Sequence, residues 1–298
     1  LWNPARAPLV EAFKKKYGVD VDTVIATSQL LNERLFRERK AGIFDVDIIL
    51  ASGAGALELK KADVLDQIEP ALILPEVTDP GAWMSGGIYW VDTERTQFLF
   101  GGGVGPYILI NTSMVKPEEI KSMLDLLSPK WKGKIVMYDP TTPGPGRTQF
   151  MVLVSNELGM DYVRELLKQD PIITRDPRQH LDWVSKGVYP VLLGFMSGMV
   201  QDYQKAGAPV KVISPPREAA FYGYFSSVLT MPKNTPHPNA ANIFANWILS
   251  REGQTLVTGL INTPSRRLDV PNKELVDPAL VPDPTIKYRM IDSMDEIP

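Results

Sequence analysis

The chain has 298 residues, of which 44% are hydrophobic and 22% are charged. This is the composition of a globular protein, so it excludes a disordered or collagen-like chain, and the formal net charge of -3 gives no basic excess for nucleic-acid binding. The absence of cysteine excludes disulfides, thiolate metal sites and cysteine nucleophiles, and a chain with two histidines has no histidine-rich metal centre.

The first 60 residues alternate between predicted helices and strands. A helix over 8–18 ends at Gly18, the strand Val19–Ile25 follows, and Thr27 or Ser28 begins a helix that runs to Ala41. A second strand, Asp45–Leu50, leads through a small polar turn into a helix near Leu57–Lys61. The repeated order of strand, polar turn and helix is typical of an α/β protein.

Residues 62–97 are irregular, and the α/β pattern returns after about residue 108. The longest uncharged stretch, Thr96–Val115, is interrupted by glycines and Pro106, so we read it as two strands around a turn rather than as a membrane-spanning helix. Beyond about residue 270 the chain is rich in proline and aspartate and is predicted to be weakly structured. The other predicted strands are Lys134–Tyr138, Val188–Gly194, Val210–Ile213 and Tyr222–Met231, and the predicted helices are 117–127, 148–158, 162–168, 179–185, 197–205 and 239–250.

Small hydroxyl and glycine residues follow several predicted strands, each time just before a helix. In open α/β sheets ligands bind beyond the carboxyl ends of the strands. Free amides at a helix start, a hydroxyl and the helix dipole together favour an anionic or carbonyl-bearing ligand, and the pattern contains no paired base and nucleophile. The candidate binding residues are Ser28, Ser52, Gly53, Thr141, Thr142, Gly146, Arg147, Thr148 and Ser197.

Three segments of the chain resemble family 1 extracellular solute-binding proteins of ABC importers, especially their ferric-iron branch. The first segment is 125–136, DLLSPKWKGKIV, which is followed by Asp139-Pro140. The second begins at 236–241, PHPNAA, and continues through Phe244, Trp247 and Ser250 to 252–254. The third is the opening helix with Phe13 and Gly18, the strand after it, and the later strand that contains Asp47. The order and spacing of the three segments cover most of the chain up to about residue 265.

The resemblance implies an α/β, two-lobe type II periplasmic-binding fold with a hinge of two crossover strands. The hinges would lie near Val104–Tyr107 and near Phe225–Val228, and the lobes would close on a ligand in the cleft. Lobe 1 is expected to comprise 1–104 and 228–270 and lobe 2 to comprise 108–226, with 271–298 packing on the lobes. The first strand of such folds normally precedes the opening helix, so we expect that the chain has lost its beginning.

The same resemblance leaves two ligand classes open. Ferric-binding relatives hold iron with adjacent tyrosines, at a place that reads Phe195-Met196-Ser197-Gly198 here. Ferric iron prefers oxygen donors, which phenylalanine and methionine cannot supply. The segment matching the anion loop of those relatives, 141–148, is better preserved and carries Arg147, whose planar fork suits a carboxylate, phosphate or phosphonate. Tyr222 or Tyr224 would wall the pocket.

Other charged residues are expected to have ordinary structural roles. Arg266 and Arg267 are predicted to be solvated, His237 to lie in a turn between two prolines, and His180 to lie on a polar helix. Arg147 itself could be an exposed surface residue, and Tyr222 could simply pack in the hinge or the core.

We therefore expect a non-catalytic receptor of the bacterial envelope that delivers a small anionic solute to the membrane permease of an ABC importer. Its location would be the periplasm, or the outer surface through a lipid anchor in a Gram-positive source. No cofactor, no metal, no nucleic acid and no direct membrane insertion are expected. The alternatives are a ferric-iron receptor of the same family, an enzyme on a bilobal scaffold, and the sensor domain of a transcription regulator.

Overall fold

The computed structural model describes residues 5–105, 108–141, 145–155, 158–195, 197–214, 216–223, 227–283 and 285–290. Its α-helices are α1 Arg6–Tyr17, α2 Ser28–Lys40, α3 Gly53–Lys61, α4 Pro75–Thr78, α5 Pro145–Ser155, α6 Gly159–Leu167, α7 Pro177–Ser185, α8 Ser197–Lys205, α9 Pro238–Leu249, α10 Arg251–Ile261 and α11 Asn272–Leu275. Its strands are β1 Ile49–Ala51, β2 Leu65–Asp66, β3 Gln97–Leu99, β4 Gly103–Gly105, β5 Ile108–Asn111, β6 Ile135–Tyr138, β7 Ile172–Thr174, β8 Val191–Leu193, β9 Val210–Ile213, β10 Phe221–Gly223, β11 Val228–Pro232 and β12 Arg289–Met290. Within these ranges no helix has both the length and the apolar character needed to cross a membrane.

The chain divides into two compact units, each made of two segments. Unit 1 comprises Leu1–Gly102 and Tyr224–Val276, and unit 2 comprises Gly103–Gly223 and Asp277–Pro298. The chain therefore passes between the units three times, near residues 102–103, 223–224 and 276–277. The lobe boundaries expected from the sequence stay a prediction.

Strand β11 is the centre of unit 1. It pairs antiparallel with β1, β2 and β3, and in one row Val228 lies opposite both Ala51 and Leu99. Because β1 and β3 both run antiparallel to β11, their carboxyl ends lie at the same edge of the sheet. Helices α1, α9 and α10 cover one side, where the rings of Phe13 and Trp247 lie 5.2 Å apart.

Unit 2 is built on a five-stranded sheet in the order β7-β6-β8-β5-β9. Strand β6 is parallel to β7 and to β8, whereas β5 is antiparallel to its neighbours. Successive side chains point to opposite faces of a strand. Ile135 and Met137 accordingly belong to one core and Val136 to the other, so the sheet is buried on both sides. A smaller sheet, β12-β10-β4, completes the described part of the unit.

Three predicted elements differ from the structure. Residues 19–25 form no strand in the structure, and Val19 and Val21 instead pack against the core of unit 1. The long strand Tyr222–Met231 is two strands, β10 and β11, which lie in different units. The helix predicted over 117–127 is two short 3-10 helices, 117–119 and 123–127, since the Glu119 and Asp125 side chains bind backbone amides and close each turn early.

The prediction that Arg266 and Arg267 are solvated is wrong, because 2% and 1% of their surfaces are exposed. The Arg267 guanidinium donates to the carbonyl oxygens of Glu76 and Leu249 and forms a two-armed pair with Asp269 at 2.9 and 2.8 Å. It also lies over the ring of Trp83. The Arg266 guanidinium lies over the ring of Tyr89, 4.9 Å from its centre. Backbone carbonyls and aromatic rings that are distant in sequence stabilise both charges. The burial of the two arginines could therefore not be predicted from their sequence neighbours.

Replacing Arg267 by alanine is expected to lower the free energy of unfolding by roughly 3 kcal/mol, because buried carbonyls lose their donor and a cavity remains. Urea denaturation followed by circular dichroism measures the change. The control is Arg164→Ala, which removes an exposed guanidinium paired with Asp161 and should cost less than about 1 kcal/mol. Equal losses in both variants would show that Arg267 does not anchor the core.

Candidate functional site

Two helix starts meet at the carboxyl end of β1 in unit 1. Thr27 caps α2 through the amide of Leu30, and Ser52 caps α3 through the amide of Gly55. The hydroxyl oxygens of Ser28 and Ser52 lie 3.0 Å apart. The structure thus brings together the predicted residues Ser28, Ser52 and Gly53, and it aims the positive ends of two helix dipoles at one place.

A close packing contact holds these helix starts in position. A Cβ atom on Gly55 would lie 2.5 Å from the Cβ atom of Ser28, so α2 and α3 approach this closely only because residue 55 is glycine. The buried amide of Asn32 then bridges the helices by donating to the Gly55 carbonyl at 3.0 Å and to Glu58 at 2.9 Å. The packing of Gly55 and the hydrogen bonds of Asn32 therefore fix the positions of the two serines.

The corresponding edge of unit 2 is the carboxyl end of β6 and β7. Their parallel register places Tyr138 beside Thr174, so the next residues, Asp139 and Arg175, are neighbours. The Nε atom of Arg175 donates to the Asp139 carboxylate at 2.7 Å. Asp139 is 14% exposed in its side chain and Arg175 is 70% exposed, so the carboxylate is sheltered while the guanidinium faces solvent.

Asp139 also holds the start of the loop that follows β6. Its carboxylate accepts the amide of Thr141 at 2.8 Å and the hydroxyl of Thr141 at 2.6 Å. These two bonds and the Arg175 guanidinium lower the pKa of Asp139 to about 2. Thr141 therefore gives both of its donors to Asp139, and its predicted contact with a ligand stays a prediction.

Arg147 lies in the first turn of α5, at the same end of the sheet. Its Nη2 atom donates to the carbonyl oxygen of Thr141 at 3.3 Å. Helix α5 can start here because residue 146 is glycine: a Cβ atom on Gly146 would lie 2.5 Å from the carbonyl oxygen of Asp139 and 2.6 Å from that of Tyr138. Gly146 thus brings the helix start and Arg147 against the end of β6.

The remaining predicted residues are less informative. Ser197 begins α8 after β8, with 9% of its surface exposed, and Tyr222 is buried in β10 opposite Val104. Thr148 lies within α5. Thr142 and Tyr224, like Tyr107 and Phe225 of the expected hinges, lie outside the described residues.

Arg175 is the functional candidate that the sequence reading missed. It directly follows β7, a strand that was not predicted, although Ile172, Ile173 and Thr174 are all β-branched and favour a strand. Once that strand is recognised, the rule that ligands meet the carboxyl ends of parallel strands singles out Arg175.

His180 supports this edge from behind. It is 1% exposed, its Nε2 atom lies 2.6 Å from the hydroxyl of Thr174, and its ring packs edge-on against Tyr138. Burial lowers the pKa of His180, so the neutral ring is favoured. The histidine therefore fixes the strand ends from which Asp139 and Arg175 project. By contrast, His237 is exposed and binds Asp47 at the start of α9.

Comparison with known proteins assigns the chain to a family. The family model for bacterial extracellular solute-binding proteins matches residues 3–259. The chain belongs to this family. Similar solved structures include iron-bound HitA from Pseudomonas aeruginosa (17% identity, 94% of this chain and 87% of that one, TM-score 0.69) and the ferric binding protein from Campylobacter jejuni (18%, 92% and 88%, 0.70). A third is the periplasmic binding protein AfuA from Actinobacillus pleuropneumoniae with fructose-6-phosphate bound (18%, 96% and 88%, 0.67).

These matches confirm the resemblance and the fold class that the sequence indicated. The solute-binding protein has the mixed α/β periplasmic-binding fold, and its family serves ABC importers. The identities of these structures are low, so they establish the fold and leave the solute open. Among the described residues, no cluster of three or more histidine or acidic side chains is arranged to hold a metal ion.

Replacing Ser52 by alanine is expected to lower the free energy of unfolding by about 1 kcal/mol, because α3 loses its cap. Ser28→Ala is the matched control: it removes the neighbouring hydroxyl, but Thr27 still caps α2, so the loss should be smaller. Urea denaturation of both variants measures the difference. A larger loss for Ser28→Ala would contradict the capping assignment.

The Asp139 carboxyl is expected to titrate near pH 2, well below its ordinary value of 3.8. Because the folded-state pKa is lowered, the contribution of Asp139 to stability is complete above about pH 4 and is lost as the pH falls towards 2. Carbon NMR of the labelled carboxyl measures this pKa directly. An ordinary pKa in the folded protein would mean that Asp139 does not hold Thr141 and Arg175 in solution.

Proposed function

We propose that this solute-binding protein captures a small anionic solute, a carboxylate, phosphate or phosphonate, and delivers it to the membrane permease of an ABC importer. The family supports the transport role, and a periplasmic location follows from the same proposal. We assign the protein no catalytic step. Capture between two lobes by hinge closure stays a prediction from the resemblance.

The observation that carries the anion proposal is the position of Arg147. Its guanidinium lies in the first turn of α5, where the helix dipole already favours negative charge, and Gly146 brings this turn against the end of β6. A charged donor and a helix start at the carboxyl edge of a parallel sheet suit an anion. In unit 1 the proposal adds Ser28, Ser52 and Gly53, at the starts of α2 and α3.

The ferric-iron alternative is less well supported by the side chains of the corresponding segment. Phe195, which begins the segment corresponding to the tyrosines of ferric relatives, is 3% exposed and has no oxygen donor. Whether the bound solute is chemically changed distinguishes a receptor from an enzyme. Native mass spectrometry of the purified protein should recover an unmodified anion, whereas accumulation of a product during incubation would favour an enzyme.

Replacing Arg147 by alanine is expected to weaken binding of the recovered anion by about 1.5–3 kcal/mol, because a charge-assisted hydrogen bond is lost. Isothermal titration calorimetry measures the affinity. Arg164→Ala is the control, since it removes the same charge from the exposed face of α6. Unchanged affinity in the Arg147 variant would remove this residue from the site, and recovery of a neutral or cationic solute would overturn the anion proposal.

A further inference from the structure

Two guanidinium groups converge on Thr141 in unit 2. Arg147 donates to its carbonyl oxygen at 3.3 Å, and the Nη2 atom of Arg175 lies 3.4 Å from its hydroxyl oxygen. The two arginines come from different elements, α5 and the end of β7. Two like charges held against one residue are favourable only where negative charge compensates them.

The described carboxylates at this edge already accept hydrogen bonds from the protein. Asp139 accepts two bonds from Thr141 and one from Arg175. Asp176, the residue after Arg175, binds the amides of Arg178 and Gln179 and so caps α7. These carboxylates therefore hold the local structure together, and an incoming anion would not have to break their bonds with Thr141 or α7.

Arg175 is presented to solvent in a fixed orientation. One side of its guanidinium, Nε and Nη2, faces Asp139 and Thr141, and among the described residues no acceptor binds its Nη1 atom. The side chain is 70% exposed. The end of the fork, Nη1 with the second hydrogen of Nη2, is therefore accessible for a bidentate contact with an oxyanion.

We propose that Arg175 and Arg147 form a two-guanidinium clamp for a tetrahedral oxyanion, the phosphate or phosphonate group of the solute. This inference rests on the proposed function and narrows its ligand class. A single guanidinium fork satisfies the two coplanar oxygens of a carboxylate. The terminal oxygens of a phosphate or phosphonate group are arranged tetrahedrally around phosphorus and not in one plane with it, so donors arriving from two separate elements match the group better. Asp139 is the positioning residue that orients Arg175.

The test compares oxyanions of different shape on the full chain. Binding of inorganic phosphate, fructose 6-phosphate and methylphosphonate is measured by calorimetry, with acetate and gluconate as carboxylate probes. The variants are Arg175→Gln, Arg175→Lys and Arg147→Gln, and Arg164→Gln is the charge-matched control. Thermal unfolding of each variant tests whether it is folded. We expect the Arg175 variants to fold, because the side chain is exposed.

The proposal expects at least one phosphorus oxyanion to bind more tightly than either carboxylate. Arg175→Gln and Arg147→Gln should each weaken that binding at least tenfold, and Arg175→Lys should not restore it, because lysine keeps the charge but lacks the fork. The control variant should bind like the unmodified protein.

Two results would overturn the clamp. One is tight binding of carboxylates with weak or no binding of all three phosphorus probes, which leaves the proposed anion receptor standing. The other is phosphate binding that Arg175→Gln does not weaken. Failure of every anion, together with a neutral or cationic solute in native mass spectrometry, would instead overturn the proposed function itself.

Discussion

The arrangement of the candidate site residues in unit 2 depends on Asp139. Its backbone amide donates to the Thr174 carbonyl at 2.9 Å, which joins the ends of β6 and β7, while its side chain binds Thr141 and Arg175. One residue therefore ties two strands, a loop and an exposed guanidinium together. Because these partners keep the carboxylate charged to about pH 2, the arrangement does not change over the ordinary range of pH.

Units 1 and 2 share the same local arrangement of strand end and helix start, with different side chains. In both units a polar residue follows a strand, and a helix begins within a few residues. A glycine lets the helix approach its neighbour closely: Gly55 packs against Ser28, and Gly146 packs against the end of β6. Unit 1 offers hydroxyl groups and helix starts, whereas unit 2 adds permanent positive charge. If the solute is the proposed anion, the stronger electrostatic contribution to its binding comes from unit 2.

Much of the fold could be predicted because hydrophobic alternation and helix caps are local signals. Residues 135–137 alternate between two buried faces, and Ser52 lies between β1 and α3, which follows the predicted order of strand, polar turn and helix. The strand β7 is only three residues long, so its sequence signal is weaker. Without that strand, the sequence does not place Arg175 at the edge of a sheet. Long-range partners could not be predicted from local signals: the backbone acceptors of Arg267 lie 18 and 191 residues away in the chain, so its burial depends on the completed fold.

The donor and acceptor groups at the unit 2 edge support the proposed anion over the ferric-iron alternative. An iron site needs oxygen atoms with free lone pairs, and ferric iron favours carboxylates and phenolates. Here the Asp139 oxygens already accept protein hydrogen bonds, and the groups turned outward are guanidinium donors, which repel a cation and cannot coordinate it. The same groups are well suited to phosphate oxygens. Iron-bound HitA and AfuA with fructose-6-phosphate bound share this fold, so the fold alone does not name the solute, and the proposal for this chain depends on its side chains.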